Sequence, residues 1–397
     1  MGKQLCVCVC VCFLAIAGSQ TVDLINGSHS DRTMSDPGAV TQSLNETKCN
    51  VSTPYSQVDT SARHFFLMFH SLVFLVGLLL NGFTLKVYFC QAQQQQSSTV
   101  TVYLKNLVAA DFLISLCLPL RILNYASTSV PIHLVYCNFG ASTLYLNMYA
   151  SILFMGYIAA NRYLKIVHPL GTHVLQTVRA SHIICTLTWL FLLATVSTYI
   201  TLSLLTQGHL SSVPSSLSCD DNHSALLSAV YKFMHSCSAA VFLLVLVSLV
   251  FFYYSTSRRL SLAQQRQPAS STSKKLAKSR RNMLVLVVVF CVCFVPYHLV
   301  RLPYAFLRGY SCSQTFFYLK EVSVMLSVLN VCLDPLIYFI FCKAFRTQLN
   351  LKTAFSLTTA PTRAENTKRR SSDGQLSTMK FNRKTSLTTT TKHNDVL

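Results

Sequence analysis

Seven stretches of this chain shed their polar residues for long enough to cross a bilayer: about 64–90, 101–124, 135–165, 181–205, 226–254, 282–307 and 316–342. About 20 apolar residues span a hydrocarbon core of roughly 30 Å, so the pattern predicts seven membrane helices. The polar stretches between them alternate in charge. Residues 258–281 carry Arg258, Arg259, Arg266, Lys274, Lys275, Lys278, Arg280 and Arg281 with no acid, which marks a cytoplasmic loop. The stretch 206–225 instead holds Asp220, Asp221 and a glycosylation sequon at Asn222, which marks the outer side. An odd number of spans then leaves the N-terminus outside and the C-terminus inside. The expected fold is an all-α integral membrane protein, a seven-transmembrane helix bundle over residues 63–342, with a short amphipathic helix after the seventh span.

The ends follow the same logic. Residues 1–18 combine an early Lys3, an apolar run and small residues, as a cleaved signal peptide does. Residues 19–62 are polar and carry sequons at Asn26, Asn45 and Asn50, which suits an extracellular glycosylated tail. Residues 343–352 set Ala344, Phe345 and Leu349 along one side and Lys343, Arg346 and Lys352 elsewhere, the pattern of a helix lying on the inner leaflet. Residues 353–397 lose this periodicity and become rich in Ser, Thr, Lys and Arg. A disordered cytoplasmic tail is expected there, open to kinases and arrestin-type partners.

Composition supports a membrane protein. Apolar residues make up 51% and charged residues 12%, with a mean hydropathy of +0.42, too oily for a soluble chain of 397 residues. The net charge of +20 sits in loops and tail, where it sets topology and touches membrane lipid, so it does not point to nucleic acid. Most of the 16 Cys lie inside apolar runs as small hydrophobes. Four stand apart on the outer side, and an oxidising compartment favours the bridges Cys137–Cys219 and Cys49–Cys312 over free thiols.

Polar residues inside the spans need partners. Asn81, Asp111, Asn147, Ser151, Asn330 and Asp334 are each costly alone at membrane depth. Asp111, Ser151, Asn330 and Asp334 fall near mid-depth, where they form either a purely structural network or a site for a sodium ion. No other cofactor is expected. Toward the outer mouth, Arg121, His298, Arg301 and Lys320 converge, with Glu321 the neighbouring acid. Such a cluster asks for an anion, and an Arg fork suits phosphate or carboxylate. Tyr145 and Tyr149, one turn apart, offer faces and hydroxyls to a base. Arg121 and Lys320 have an alternative in snorkelling to lipid headgroups. Pro296 interrupts the sixth span and should bend it.

Several of these residues together resemble a family. Asn81, LKNLVAADF around Asp111, Asn161-Arg162-Tyr163, Trp189, FVPYH around Pro296 and Asp334-Pro335 through Tyr338 are similar to the marks of rhodopsin-like G-protein-coupled receptors. The resemblance covers roughly residues 60–350. CFVPYHLVRLPY and the last span are similar to the purinergic nucleotide receptors, the ADP and UDP-sugar branch. The resemblance implies a plasma-membrane receptor rather than an enzyme, responsive to an extracellular nucleotide or nucleotide sugar and coupled to a heterotrimeric G protein of the inhibitory class. It implies roles for Asn161, Arg162 and Tyr163 in coupling, and for Phe294, Pro296, Pro335 and Tyr338 in the activation hinge. A lysophospholipid-responsive or orphan receptor of the same family is the second reading, and a transporter or channel a distant third. The chain departs from the family pattern at Asn161, where an acid is usual, and at Phe294, where Trp is usual.

Overall fold

The structure, a computed structural model, describes residues 60–90, 98–127, 129–167, 176–207, 219, 224–266, 271–306 and 314–341. All described residues belong to one compact unit. The signal segment 1–18, the tail to residue 59, the sequons Asn26, Asn45, Asn50 and Asn222, the pair Cys49 and Cys312, the surface helix 343–352 and the tail 353–397 lie outside the described residues.

Seven helices are long and apolar enough to span. They are α1 (Thr60–Cys90), α2 (Thr99–Ala126), α3 (Val130–Val167), α4 (Val178–Gln207), α5 (Ala225–Arg266), α6 (Ser271–Phe306) and α7 (Gln314–Val328 continuing as Asn330–Phe341). Local chemistry starts several of them. Ser98 accepts from the Thr101 amide, Thr177 from the Ala180 amide and Ser224 from the Leu227 amide, so orphan donors of a first turn are satisfied before the chain enters lipid. Pro131 sits in the first turn of α3, where its missing N–H costs nothing.

The helices pack as a ring of neighbours, α1 on α2, α2 on α3, α5 on α6, α6 on α7 and α7 back on α1. Helix α3 runs through the middle, touching α2, α4, α5 and α6; its membrane window is 72% buried, against 17% for α5. The core is therefore built on α3, around Ala150, Ile152, Phe154, Met155 and Ile158. The exposed apolar side chains, among them Leu72 and Leu79 on α1, Leu187 and Phe191 on α4, and Leu244 and Val247 on α5, form the face turned to lipid.

Two boundaries differ from the sequence expectation. The cationic stretch 258–281 is mostly helical and not a loop: α5 runs to Arg266 and α6 begins at Ser271. Leu260 and Ser273 are buried, so the two helices stay packed beyond the apolar run, while the arginines and lysines face outward. Lys, Arg, Gln, Leu and Ala are strong helix formers, and neither 258–266 nor 271–281 holds a Pro or Gly to oppose them. The third span also begins earlier than residue 135. Helix α3 starts at Val130, and Cys137 lies in a π-helical turn, Tyr136–Gly140, inside it.

Candidate functional site

The end of the bundle that carries the Cys137–Cys219 bridge holds a cage of buried cations. This bridge is the first expected pair, and it ties α3 to the segment between α4 and α5 with a Cα–Cα distance of 5.4 Å. Arg121, Arg301, Lys320 and Glu321 are each no more than 8% exposed. Arg121 and Lys320 are thus drawn into the bundle, which removes the snorkelling alternative for both.

Arg121 on α2 is held from three sides. Its guanidinium donates to Glu321 at 2.6 Å, to the Tyr136 hydroxyl at 2.7 Å and to the Tyr125 hydroxyl at 3.0 Å. The Tyr125 hydroxyl also donates to the same Glu321 oxygen. Lys320 reaches the other Glu321 oxygen only at 3.9 Å, and its ammonium lies 4.8 Å from the Tyr304 ring centre and 5.3 Å from that of Phe317. Glu321 is thereby committed mainly to Arg121. Arg301 on α6 donates to the Tyr231 hydroxyl and lies over the rings of Tyr231, Tyr304 and Tyr145 at 5.3, 5.4 and 5.7 Å.

One turn below, His298 donates from Nδ1 to the Phe294 carbonyl at 2.8 Å. Its Nε2 is then left to accept from the Tyr149 hydroxyl at 3.1 Å. The His298 ring also stacks on Phe242. Tyr145 meets His235 and Tyr297 edge to face or tilted, so both expected tyrosines of α3 face the cage. All six residues expected at the mouth are therefore gathered at one end, though Arg121 is already engaged by a carboxylate. Sequence reasoning missed the aromatic walls: Tyr125, Tyr136, Tyr231, His235, Tyr297 and Tyr304. Tyr125 and Tyr304 stand four and three residues beyond Arg121 and Arg301, a spacing that puts each beside its cation on one helix face.

At mid-depth the Tyr338 hydroxyl donates to Asp111, and Asn81 donates to the Val331 carbonyl at 3.0 Å, joining α1 to α7. Asp111 Oδ1, both Asp334 oxygens, the Ser151 hydroxyl and the Asn330 amide are buried together, with Asp334 and Ser151 beside the Asp111 carboxyl. Carboxyl and hydroxyl oxygens clustered at this depth are the donor set a hard cation takes. Trp189 donates to Asn106 at 3.0 Å, tying α4 to α2. The expected hinge residues Phe294 and Pro296 lie on α6, and Pro335 and Tyr338 on α7, with Phe294 and Tyr338 fully buried.

At the opposite end of the bundle the Arg162 guanidinium lies 4.8 Å over the Phe341 ring of α7, and Tyr163 stacks on Phe252 of α5 at 4.8 Å. The Asn161 amide has no hydrogen-bond partner among the described residues.

This geometry agrees with what comparison finds. Residues 80–338 match the family of 7 transmembrane receptors (rhodopsin family). The bovine purinoceptor 14 is 36% identical over 77% of this chain and 92% of its own length. The mouse G-protein coupled receptor 87 is 30% identical over 70% of this chain and 76% of its own, and the mouse probable G-protein coupled receptor 34 is 30% identical over 70% and 74%. A family match with a ligand-controlled signalling role, and not a catalytic one, accounts for a site built of cations and aromatic rings around a bent helix. The chain belongs to the rhodopsin family of G-protein-coupled receptors, in its purinergic branch.

Proposed function

We propose that this receptor answers an extracellular nucleotide or nucleotide sugar through a heterotrimeric G protein of the inhibitory class. The observation that carries this reading is the gathering of cations and aromatic rings at one end of the bundle: Arg121, Arg301 and Lys320 are all buried there, and Arg301 and Lys320 lie over tyrosine rings. A phosphate offers acceptors that match an Arg fork and a charge that suits such a cluster. Tyr145, Tyr231 and Tyr304 around Arg301 offer flat faces for a base. The names of the bovine and rat purinoceptor 14 relatives point the same way. In this orientation the N-terminus and the bridge are extracellular and Arg162 is cytoplasmic.

The deciding experiment is a panel of nucleotides, nucleotide sugars and lysophospholipids on cells expressing the receptor, read by G-protein dissociation. Response to lysophospholipid alone would replace this reading with the second one. We propose further that a sodium ion sits among Asp111, Ser151, Asn330 and Asp334, and that the tail beyond Lys352 recruits kinases and arrestin-type partners. Truncation there should slow agonist-driven internalisation while ligand binding holds.

A further inference from the structure

The turn Tyr136–Gly140 of α3 is π-helical, closed by the Ala141 amide donating to the Tyr136 carbonyl five residues back. Gly140 is buried, and a Cβ on it would stand 2.7 Å from Tyr136 Cδ2 and 3.2 Å from Cε2. Carbon atoms do not pack so closely, so any side chain at 140 would push the ring aside. What the ring carries is the hydroxyl that accepts from the Arg121 guanidinium at 2.7 Å. Arg121 depends on that bond for its position. Its Nε has no hydrogen-bond partner among the described residues, and with Ile114, Cys117, Leu118, Gly140 and Leu144 it lines a cavity between α2 and α3. Packing therefore does not fix the side chain on that side, and hydrogen bonds must.

The Glu321 carboxylate stands between two cations, with Arg121 at 2.6 Å and Lys320 at 3.9 Å. A charged hydrogen bond goes to the donor whose geometry fits, so the placement of Arg121 decides which cation the carboxylate neutralises. We propose that Gly140 and Tyr136 are positioning residues that keep Glu321 on Arg121 and away from Lys320. When the ring is displaced, Arg121 loses one of its three acceptors and turns toward the cavity, and Glu321 closes on Lys320. The consequence for binding rests on the ligand reading above: a carboxylate drawn onto Lys320 competes with the phosphate for that cation. Gly140 itself touches no ligand and acts through Tyr136, Arg121 and Glu321 in turn.

The test uses purified full-length receptor in lipid nanodiscs, and its first readout is thermal unfolding with no nucleotide present. Lys320→Met should lower the melting temperature by at least about 2 °C more in the Gly140→Ala background than in wild type, because Lys320 there holds Glu321. An equal drop in the two backgrounds overturns the proposal, since a turn that had only lost packing would leave the effect of Lys320→Met unchanged. Tyr136→Phe keeps the ring on Gly140 and removes only the hydroxyl. It should give the same contrast, which carries the test if Gly140→Ala does not fold; no contrast in Tyr136→Phe also overturns the proposal. The second readout is binding of radiolabelled ADP and UDP-glucose. Gly140→Ala should weaken whichever probe binds by about tenfold, the effect of one hydrogen bond to a charged group, and should have no effect in Glu321→Gln. Undiminished binding in Gly140→Ala, or a loss of equal size in Glu321→Gln, overturns it. If neither probe binds the wild type, the nucleotide reading fails, and the melting contrast still decides the role of Gly140.

Discussion

Arg121 and Arg301 look alike in the sequence and differ in their surroundings. Arg301 lies among aromatic rings, whereas Arg121 is braced by two tyrosine hydroxyls and Glu321. Replacing Arg301 or Lys320 by Ala should therefore weaken the agonist by about 1.5–3 kcal/mol, the range of a hydrogen bond to a charged group, with surface expression held. Unchanged potency in both variants would remove the anionic site. Glu321→Gln should do something different. It strips the carboxylate from a buried pair, a change that costs about 3–5 kcal/mol of stability when the partner charge stays buried. Yet it leaves the cage more positive, so agonist affinity at matched folded protein should hold or rise. Thermal unfolding and ligand binding on the same preparation separate the two effects. Glu321 was expected beside the cation cluster, but which cation it would hold was not legible in the sequence: Arg121 is 200 residues away, and the seating of α7 against α2 brings the two together.

Among elements, the seven spans and the Cys137–Cys219 bridge could be read directly, because apolar length and an oxidising outer face decide them without tertiary detail. What periodicity does not show is where a helix stops once it leaves lipid, as the long ends of α5 and α6 demonstrate, or which face meets which neighbour. Gly77 illustrates the second point. In the sequence it is one small residue in an apolar run; in the fold, a Cβ there would stand 2.6 Å from Val331 Cγ1 and 3.0 Å from the Ser115 hydroxyl. Gly77 is therefore where α1 presses on α7 and α2, and its carbonyl, like that of Val331, accepts from Asn81. Gly77→Ala should lower stability by about 1–3 kcal/mol through overpacking. Gly82, with nothing within 4 Å of its would-be Cβ, should accept Ala without loss. Adding Val331→Ala to Gly77→Ala should recover part of the deficit, because the two side chains contend for one space. Melting temperatures of the four proteins in detergent check the cycle, and a Gly77→Ala protein as stable as wild type would show that α1 is free to move aside.

For the whole molecule, the question is what holds the G-protein end closed when no ligand is bound. A receptor is an equilibrium between two packings, and an effector shifts it only by its differential affinity. The mid-bundle oxygens offer one bias. If sodium sits against Asp111 and Asp334, raising sodium should weaken agonist binding in wild type and have no effect in Asp111→Asn, measured by radioligand competition. The other bias lies at Arg162. Asn161 stands where the family pattern has an acid, so no carboxylate precedes Arg162 in the chain; the fold supplies a contact of another kind, the Phe341 ring 4.8 Å from the guanidinium. A cation–π contact of this sort is worth about 0.5–2 kcal/mol, roughly two- to thirtyfold in a population ratio. Phe341 sits at the last turn of α7, three residues after Tyr338, whose hydroxyl is bonded to Asp111. The ring thus joins the central helix to the element that carries Asp334 and Tyr338, and movement of α7 releases Arg162. Phe341→Leu keeps the apolar packing and removes the π face, so ligand-free nucleotide exchange on a purified G protein should rise severalfold. Asn161→Asp should lower it again in the Phe341→Leu background, because a carboxylate beside Arg162 restores a charged partner. A Phe341→Leu receptor with wild-type basal exchange would mean that the ring only fills space, and that the closed state is held elsewhere in the bundle.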